Sequence, residues 1–417
     1  MPIPRRYALT ARLSSIAAIA IGSTALIAAA APSATAAPSA EWANRATVAT
    51  PAAERWSLDQ AKALRRELAA SADEGLRPAD YGAEALDAAI AGGRGPALDA
   101  AADAAALALA RDYAQGRITD RSAFDWHIER SPYETADLPA RLAVAVDRGE
   151  VRSWLRSLLP QDARYAALRA AYRETPAGDA ATLDTLRANM ERWRWLPRSF
   201  GDRYVYVNVP SYQLSLMEGG DAIKTYDVVV GAPKTPTPVL AAPASSVVVN
   251  PWWNVPQSIV KSSNLYRGKP GYVFKTNGSG YLVRQAPGPR NALGQIKIDM
   301  PNEHAIYLHD TPAKAAFART ERALSHGCIR VKNVDQLAAD MLAADEASVG
   351  RLDEALATRD TTTIRMARQW PVYLVYFTAD RAEDGSIRTY GDPYGRDAQL
   401  LAALDRASPP AMQMASR

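Results

Sequence analysis

The sequence predicts an α+β protein in which a helical N-terminal half precedes a mainly β half. Alanine-rich stretches with apolar residues at helical spacing run from about 56 to 196. Beyond Pro197 the pattern changes to alternation with period two, as in Tyr204-Val205-Tyr206-Val207-Asn208-Val209. Pro- and Gly-rich loops separate these runs. A chain of 417 residues, 48% hydrophobic and 23% charged, has an ordinary globular composition and material for two or three domains.

The first 36 residues read as an export signal. Arg5, Arg6 and Arg12 form a basic start, Leu13 to Ala31 is apolar, and Ala34-Thr35-Ala36 offers a small-x-small cleavage pattern. An uncleaved anchor is the alternative, because the run is about long enough to cross a bilayer. Ser14, Ser15, Gly22, Ser23 and Thr24 interrupt it. The Arg5-Arg6 pair also fits a twin-arginine signal. Either way the expected location is the periplasm, free or held at the inner membrane. The net charge is +4, and removing those three arginines leaves 4 − 3 = +1. A near-neutral mature chain gives no reason to expect nucleic acid as a partner.

After a linker at 37–55, the helical region spans 56–196. Ser57-Leu58-Asp59-Gln60 is a capping-box start, Ala61, Leu64 and Leu68 follow at helical spacing, and Gly75 marks a stop. Further helices are expected at about 82–91, 97–115, 138–148, 150–158, 161–173 and 181–194. This region has no Gly-rich phosphate loop and no metal-type Cys/His spacing, so no cofactor is expected. Its single histidine, His127, reads as structural.

The β region is placed at 197–380. Expected strands are Tyr204–Val209, Gln213–Leu216, Ile223–Gly231, Val247–Val249, Ile296–Ile298, Ala305–Leu308 and Tyr373–Phe377. Asn333 is positioned to cap one helix, and a second follows at about 348–357. The segment at about 256–295 is rich in Lys, Gly and Tyr and is expected to cover a site as a lid, although an ordinary surface loop fits too. Residues 381–417 are read as a hairpin and a helix packed on the β region.

Cys328 is the only cysteine, so it cannot form an internal disulfide in an exported chain. Free cysteines are often simply buried, but the neighbours of this one carry chemistry. Three of the chain's 4 histidines lie between His304 and Cys328, in segments reading Tyr307-Leu308-His309-Asp310-Thr311-Pro312 and Ser325-His326-Gly327-Cys328-Ile329-Arg330. A thiolate is the attacking species, and an unperturbed thiol is mostly protonated at neutral pH. An imidazole nearby can take the proton, hold the ion pair and return the proton to a leaving amine. Gly327 permits a tight turn that aims successive amides at an oxyanion. A metal site built from His309, Asp310, His326 and Cys328 is the competing reading, but the spacings are unusual for structural zinc.

The pattern of His309, an interval, and Ser325-His326-Gly327-Cys328 resembles the signature of the L,D-transpeptidase (YkuD-type) catalytic domain. Asn250-Pro251-Trp252-Trp253-Asn254-Val255-Pro256 and Asn189-Met190-Glu191-Arg192-Trp193-Arg194-Trp195 resemble the large periplasmic branch of that family, and the region from 56 to 175 resembles its helical scaffold domain. The resemblance implies a cysteine acyltransferase with Cys328 as nucleophile, His309 as proton carrier and the Asp310 carbonyl orienting it. His326, Gly327 and Cys328 would supply the oxyanion amides. Trp253, Asn254, Tyr307, Ser325 and Arg330 would contact substrate, Arg330 through a carboxylate or within a structural ion pair.

The implied reaction transfers a peptidoglycan stem onto Cys328 with loss of D-Ala, then onto a second stem's amine in a 3→3 cross-link. Donor and acceptor stems are the expected partners, with other wall-synthesis proteins beside them. A hydrolase using the same site and a non-catalytic wall-binding scaffold are the alternatives. One departure stands out: only Glu174 to Leu186 fills the place where the branch carries a small peptidoglycan-binding domain.

Overall fold

The computed structural model describes residues 55–129, 136–262, 265, 267–278 and 280–406. The expected leader, and the linker up to residue 54, lie outside the described residues. Among the described residues no helix is long and apolar enough to cross a membrane.

Local sequence starts and stops the helices much as anticipated. Ser57 and Gln60 form the reciprocal capping box of α1 (Leu58–Ala70), which tightens into a 3₁₀ turn and ends at Gly75 in the left-handed region. Then come α2 (Ala83–Gly92), α3 (Pro96–Gln115), α4 (Leu138–Asp147) and α5 (Val151–Ser157). Asp162 caps α6 (Ala163–Glu174), and Asp179 caps α7 (Ala180–Trp195). One element was not anticipated: β1 (Trp126–His127) leaves the helical half and pairs in parallel with β5 (Val239–Val249).

The main sheet holds β1 and β5 together with β2 (Arg203–Asn208), β3 (Gln213–Glu218), β4 (Asp221–Gly231), β9 (Ile296–Asp299), β10 (Leu308–His309), β11 (Ala323–Ser325), β12 (Ile329–Val331) and β13 (Thr362–Val375). The order runs β1-β5-β13-β2-β3-β4-β12-β10-β9, and β9 pairs β5 again, so the sheet curls round to meet itself. Period-two alternation then sorts the residues. Val205, Val207, Leu214, Leu216, Val228, Val230, Ile298, Leu308, Ile329 and Val331 are fully buried on one face. The opposite face carries Tyr206, Asn208, Gln213, Ser215, Thr225, His309 and Arg330, linked by the pairs Tyr206↔Ser215, Ser215↔Thr225, Asn208↔Gln213 and His309↔Arg330. A second sheet of three strands holds β6 (Trp253–Asn254), β7 (Tyr272–Asn277) and β8 (Gly280–Gln285), with α8 (Gln257–Ser262) between β6 and β7. The remaining elements are α9 (Val334–Leu342), α10 (Glu346–Leu356), the hairpin of β14 (Ala379–Arg381) and β15 (Ile387–Thr389), and α11 (Arg396–Arg406).

Three expectations need correction. Strand structure in Ala305–Leu308 is confined to Leu308, continuing into His309, because the Asn302 carboxamide gathers the preceding segment into a turn. Its Oδ1 accepts from the N–H groups of His304 and Ile306 at 3.1 Å each, and Ala305 takes φ +52°. Asn333 precedes α9 but makes no side-chain cap; it sits at φ +53°, a conformation asparagine tolerates. The strands expected at Val247–Val249 and Tyr373–Phe377 fall at the ends of two much longer strands, β5 and β13, paired with each other along Leu240–Val249 and Thr362–Leu374; β13 stops at Val375, so Tyr376 and Phe377 lie beyond it.

Residues Ala52–Arg417 form one compact unit, and α7 shows why. Asn189 donates to Thr378 Oγ1 at 2.8 Å and accepts the Thr378 N–H at 3.0 Å. Arg192 pairs with Asp397 at 2.6 Å, and Arg187 with Asp405 at 2.8 Å, which seats α11 against α7. Glu191 accepts from Trp195 Nε1 at 3.0 Å, from the Ile118 N–H at 2.9 Å and from Arg194 at 2.7 Å. The Asn-Met-Glu-Arg-Trp segment is therefore the joint between the helical and β regions.

Candidate active site

Cys328 immediately precedes β12, and His309 ends β10, the next strand in the sheet. The parallel register Leu308↔Ile329 and His309↔Arg330 places the two segments side by side. Both side chains line one cavity of about 200 Å³ with Trp253, Tyr307, His326 and Arg330.

The imidazole is fixed from behind. His309 Nδ1 lies 2.5 Å from the Asp310 carbonyl oxygen, so that nitrogen carries the hydrogen and Nε2 keeps its lone pair. Asp310 is itself held: its N–H donates to Ile296 O at 2.8 Å, and its carboxylate accepts from the Gln295 N–H at 3.0 Å and pairs with Lys314. Gly294, at φ +61°, leaves room for that carboxylate, because a Cβ there would collide with it. These commitments occupy both oxygens of the Asp310 carboxylate, and Asp310 is not among the residues lining the cavity, which argues against the four-residue metal site.

Electrostatics set the resting protonation state. Burial, helped by the charge on Arg330, holds the His309 pKa down to about 3. Burial also pushes the Cys328 thiol up, against the opposing influence of hydrogen bonding by Tyr307 and the positive charges of Lys297 and Arg330. Both shifts favour the uncharged forms, a thiol and an imidazole sharing the cavity. Tyr307 and Trp253 line the cavity with the sulfur, and burial raises the Tyr307 hydroxyl's pKa. Lys297 sits over the Tyr307 ring at 4.6 Å. The sulfur also approaches the Ala305 carbonyl oxygen at 3.7 Å, so the Asn302 turn forms part of the site wall.

The loop before the nucleophile is built from hydroxyls. Ser325 Oγ donates to the Cys328 carbonyl at 2.6 Å and accepts the Gly327 N–H at 3.1 Å. Gly327 takes φ +115°, which glycine alone adopts readily. With the Gly327 amide occupied, the N–H groups of His326 and Cys328 remain as donors without an acceptor among the described residues. Ser325, expected to touch substrate, is among the residues lining the cavity, and its largely buried side chain also shapes the turn. Arg330 lines the cavity, and its buried Nε has no hydrogen-bond partner among the described residues. Asn254 is exposed, lies opposite Arg284 in the small sheet and is not among the cavity residues.

Sequence reasoning missed a support behind this loop. Thr237 is fully buried; its Oγ1 donates to Gly327 O at 2.7 Å and accepts the Gly231 N–H at 2.9 Å. The Tyr394 hydroxyl accepts the Thr237 N–H at 3.1 Å and donates to Gly231 O at 2.7 Å. A Cβ on Gly231 would lie 2.5 Å from Thr237 N, so the close approach needs glycine. No local motif signals Thr237 or Tyr394, since each acts across a long sequence separation. His127, read as structural, packs its ring against that of His304, centroids 4.1 Å apart and planes tilted by 48°, and joins the helical half to the Asn302 turn.

Residues 202–392 match the family described as the L,D-transpeptidase catalytic domain, and residues 53–171 match the scaffold domain. The chain carries an L,D-transpeptidase catalytic domain. A curated relative from Haemophilus influenzae named "Putative L,D-transpeptidase" is 37% identical over 243 residues, covering 52% of this chain and 49% of that protein. The chain thus spans about half the length of the curated relative it matches. Among solved structures, an L,D-transpeptidase from Mycobacterium smegmatis is 12% identical, with a TM-score of 0.24 over 42% of this chain and 58% of that one. L,D-transpeptidase 3 from Mycobacterium tuberculosis is 14% identical, with a TM-score of 0.23 over 42% and 61%. The L,D-transpeptidase domain comprises most of the curled sheet and the small three-stranded sheet beside the cavity.

Proposed function

We propose that this chain is an exported peptidoglycan L,D-transpeptidase that forms 3→3 cross-links through a thioester on Cys328. The observation that carries this reading is the thiol sharing one cavity with an imidazole whose Nδ1 is committed to a carbonyl and whose Nε2 is left to accept a proton.

Because both groups rest neutral, proton transfer accompanies attack. His309 Nε2 takes the thiol proton as sulfur adds to the carbonyl between the stem's third residue and the terminal D-Ala. The oxyanion lies against the N–H groups of His326 and Cys328. As the tetrahedral species collapses, the imidazolium returns the proton to the departing D-Ala amine. A second stem's amine then attacks the thioester, giving its proton to His309 as the thiolate leaves and recovers it. Amide replaces amide, so no nucleotide is consumed. The unpartnered Arg330 Nε supports a role in holding a substrate carboxylate. Trp253, Pro256 and Ile259 of the small sheet and α8 wall the cavity and favour transfer over hydrolysis by limiting water.

The test is product analysis of purified protein on disaccharide-tetrapeptide. Released D-Ala with a cross-linked dimer supports the reading. Released D-Ala with only tripeptide product would establish the hydrolase instead, and no release would remove both. Periplasmic export is proposed on the leader's composition and is checked by fractionating cells and sequencing the mature N-terminus.

A further inference from the structure

A cleft of about 450 Å³, larger than the catalytic cavity, lies where α6 and the β14–β15 hairpin meet the polar face of β2, β3 and β4. Nothing in the proposed chemistry uses it. From the strands it is lined by Asn208, Gln213, Ser215 and Thr225, and from the hairpin side by Asp380 and Tyr390. Arg164 also lines it. That side chain is only 7% exposed, and its Nε and Nη2 are taken by Asp162 and Tyr204, yet Nη1 has no hydrogen-bond partner among the described residues.

The cleft's position relates it to the nucleophile. Arg330 pairs with Val229, so Cys328 lies level with Gly231, while Gln213 pairs with Asp227 on the same face. Four residues along β4 and two strand spacings across give a separation on the order of 15–20 Å. An extended peptide covers ~3.3–3.6 Å per residue, so the three residues that precede the scissile bond cover about 10–11 Å, and the lactyl link and the sugar ring itself span the remainder.

We infer that this cleft binds the N-acetylated sugars of a glycan strand while the attached stem peptide reaches Cys328. The inference rests on the peptidoglycan reading and extends it to a second site. Amide and hydroxyl side chains on pleated strands both donate and accept, as sugar hydroxyls and acetamido groups require. A tyrosine ring such as Tyr390 offers a flat surface for the C–H face of a pyranose. A second attachment point would raise the stem's effective concentration at Cys328 without new contacts there. It would also serve where Glu174 to Leu186 leaves no space for a separate binding domain.

The test uses the full mature chain with three probes: a peptide-free N-acetylglucosamine trimer, a disaccharide-tetrapeptide and the free tetrapeptide. Thr225→Trp fills the cleft from an exposed position, and Gln213→Ala removes one hydrogen-bonding group. Wild type is expected to bind the trimer, and both variants to bind it more weakly. On disaccharide-tetrapeptide, KM for D-Ala release should rise at least about fivefold in Thr225→Trp with kcat unchanged. Turnover of the free tetrapeptide should stay the same. Trimer binding absent from wild type, or equal in wild type and both variants, would overturn the proposal. Trimer binding without D-Ala release from either peptide would sink the transpeptidase reading and leave the cleft assignment standing.

Discussion

At the residue scale, Cys328 is a thiol that waits for its substrate. Burial raises its pKa, so alkylation by iodoacetamide in the resting protein should be slow at pH 7 and still climbing at a pH where a free thiol has levelled off. A rate that levels off near pH 6 would show an ion pair instead. A carbapenem brings a strained amide and a carboxylate into the same cavity. It should add its whole mass to the peptide containing Cys328, and intact-mass spectrometry should find no adduct on Cys328→Ala. His309 links chemistry to stability. Its folded pKa of about 3 lies below the unfolded value, so the unfolded chain binds the extra proton between roughly pH 6.5 and 3. Stability from this group is present above that window and lost as pH falls, by up to ~1.4 kcal/mol per pH unit. His309→Gln should flatten that slope in urea titrations while abolishing turnover; an unchanged slope would contradict the assigned burial effect.

At the element scale, the loop from Ser325 to Cys328 is held by neighbours rather than by its own ladder. Thr237→Val keeps the side chain's shape and removes its hydroxyl. It leaves the Gly327 carbonyl and the Gly231 N–H unpaired in a buried place, at a cost of about 1–3 kcal/mol. Acylation should slow, because the loop that presents the amides of His326 and Cys328 loses its backing, while iodoacetamide alkylation changes little. Equal loss of both rates would mean that Thr237 acts on the sulfur directly. The same reasoning explains which elements were legible beforehand. Helices announce themselves locally: Ser57 with Gln60, and Asp162 and Asp179, carry their caps in nearby sequence. The turn at Asn302 also depends on a neighbouring side chain, but the apolar Ala305-Ile306-Tyr307-Leu308 run hides it behind strand-like residues.

At the scale of the whole molecule, the helical and β regions share α7 and a strand. Asn189 donates to the Thr378 hydroxyl and accepts its N–H, and β1 extends the sheet from within the helical half. Thermal unfolding of the described unit should therefore follow a single transition. Asn189→Leu leaves the Thr378 N–H unpaired in the joint, so it should lower stability by about 1–3 kcal/mol. It should also slow acylation, although residue 189 is not among those lining the catalytic cavity. Two separate calorimetric transitions in wild type would show that the joint is weaker than its contacts imply.

The sequence by itself determined the reactive parts, since a lone cysteine, two histidines shortly before it and a glycine next to the nucleophile are set by residue type and short spacing. It also determined the order of helices and strands, through caps and hydrophobic period. Only the tertiary structure decided that Ser325 is spent on its own turn, that Asn254 stands away from the cavity, and that Thr237 and Tyr394 carry the loop. It alone put the sugar-sized cleft and Cys328 on one face of one sheet. The physical reason is register. A strand's pairing partner and facing are fixed by closure of the whole sheet, and hydrogen bonds such as Tyr394 to Gly231 span 163 residues of chain that no local pattern can encode.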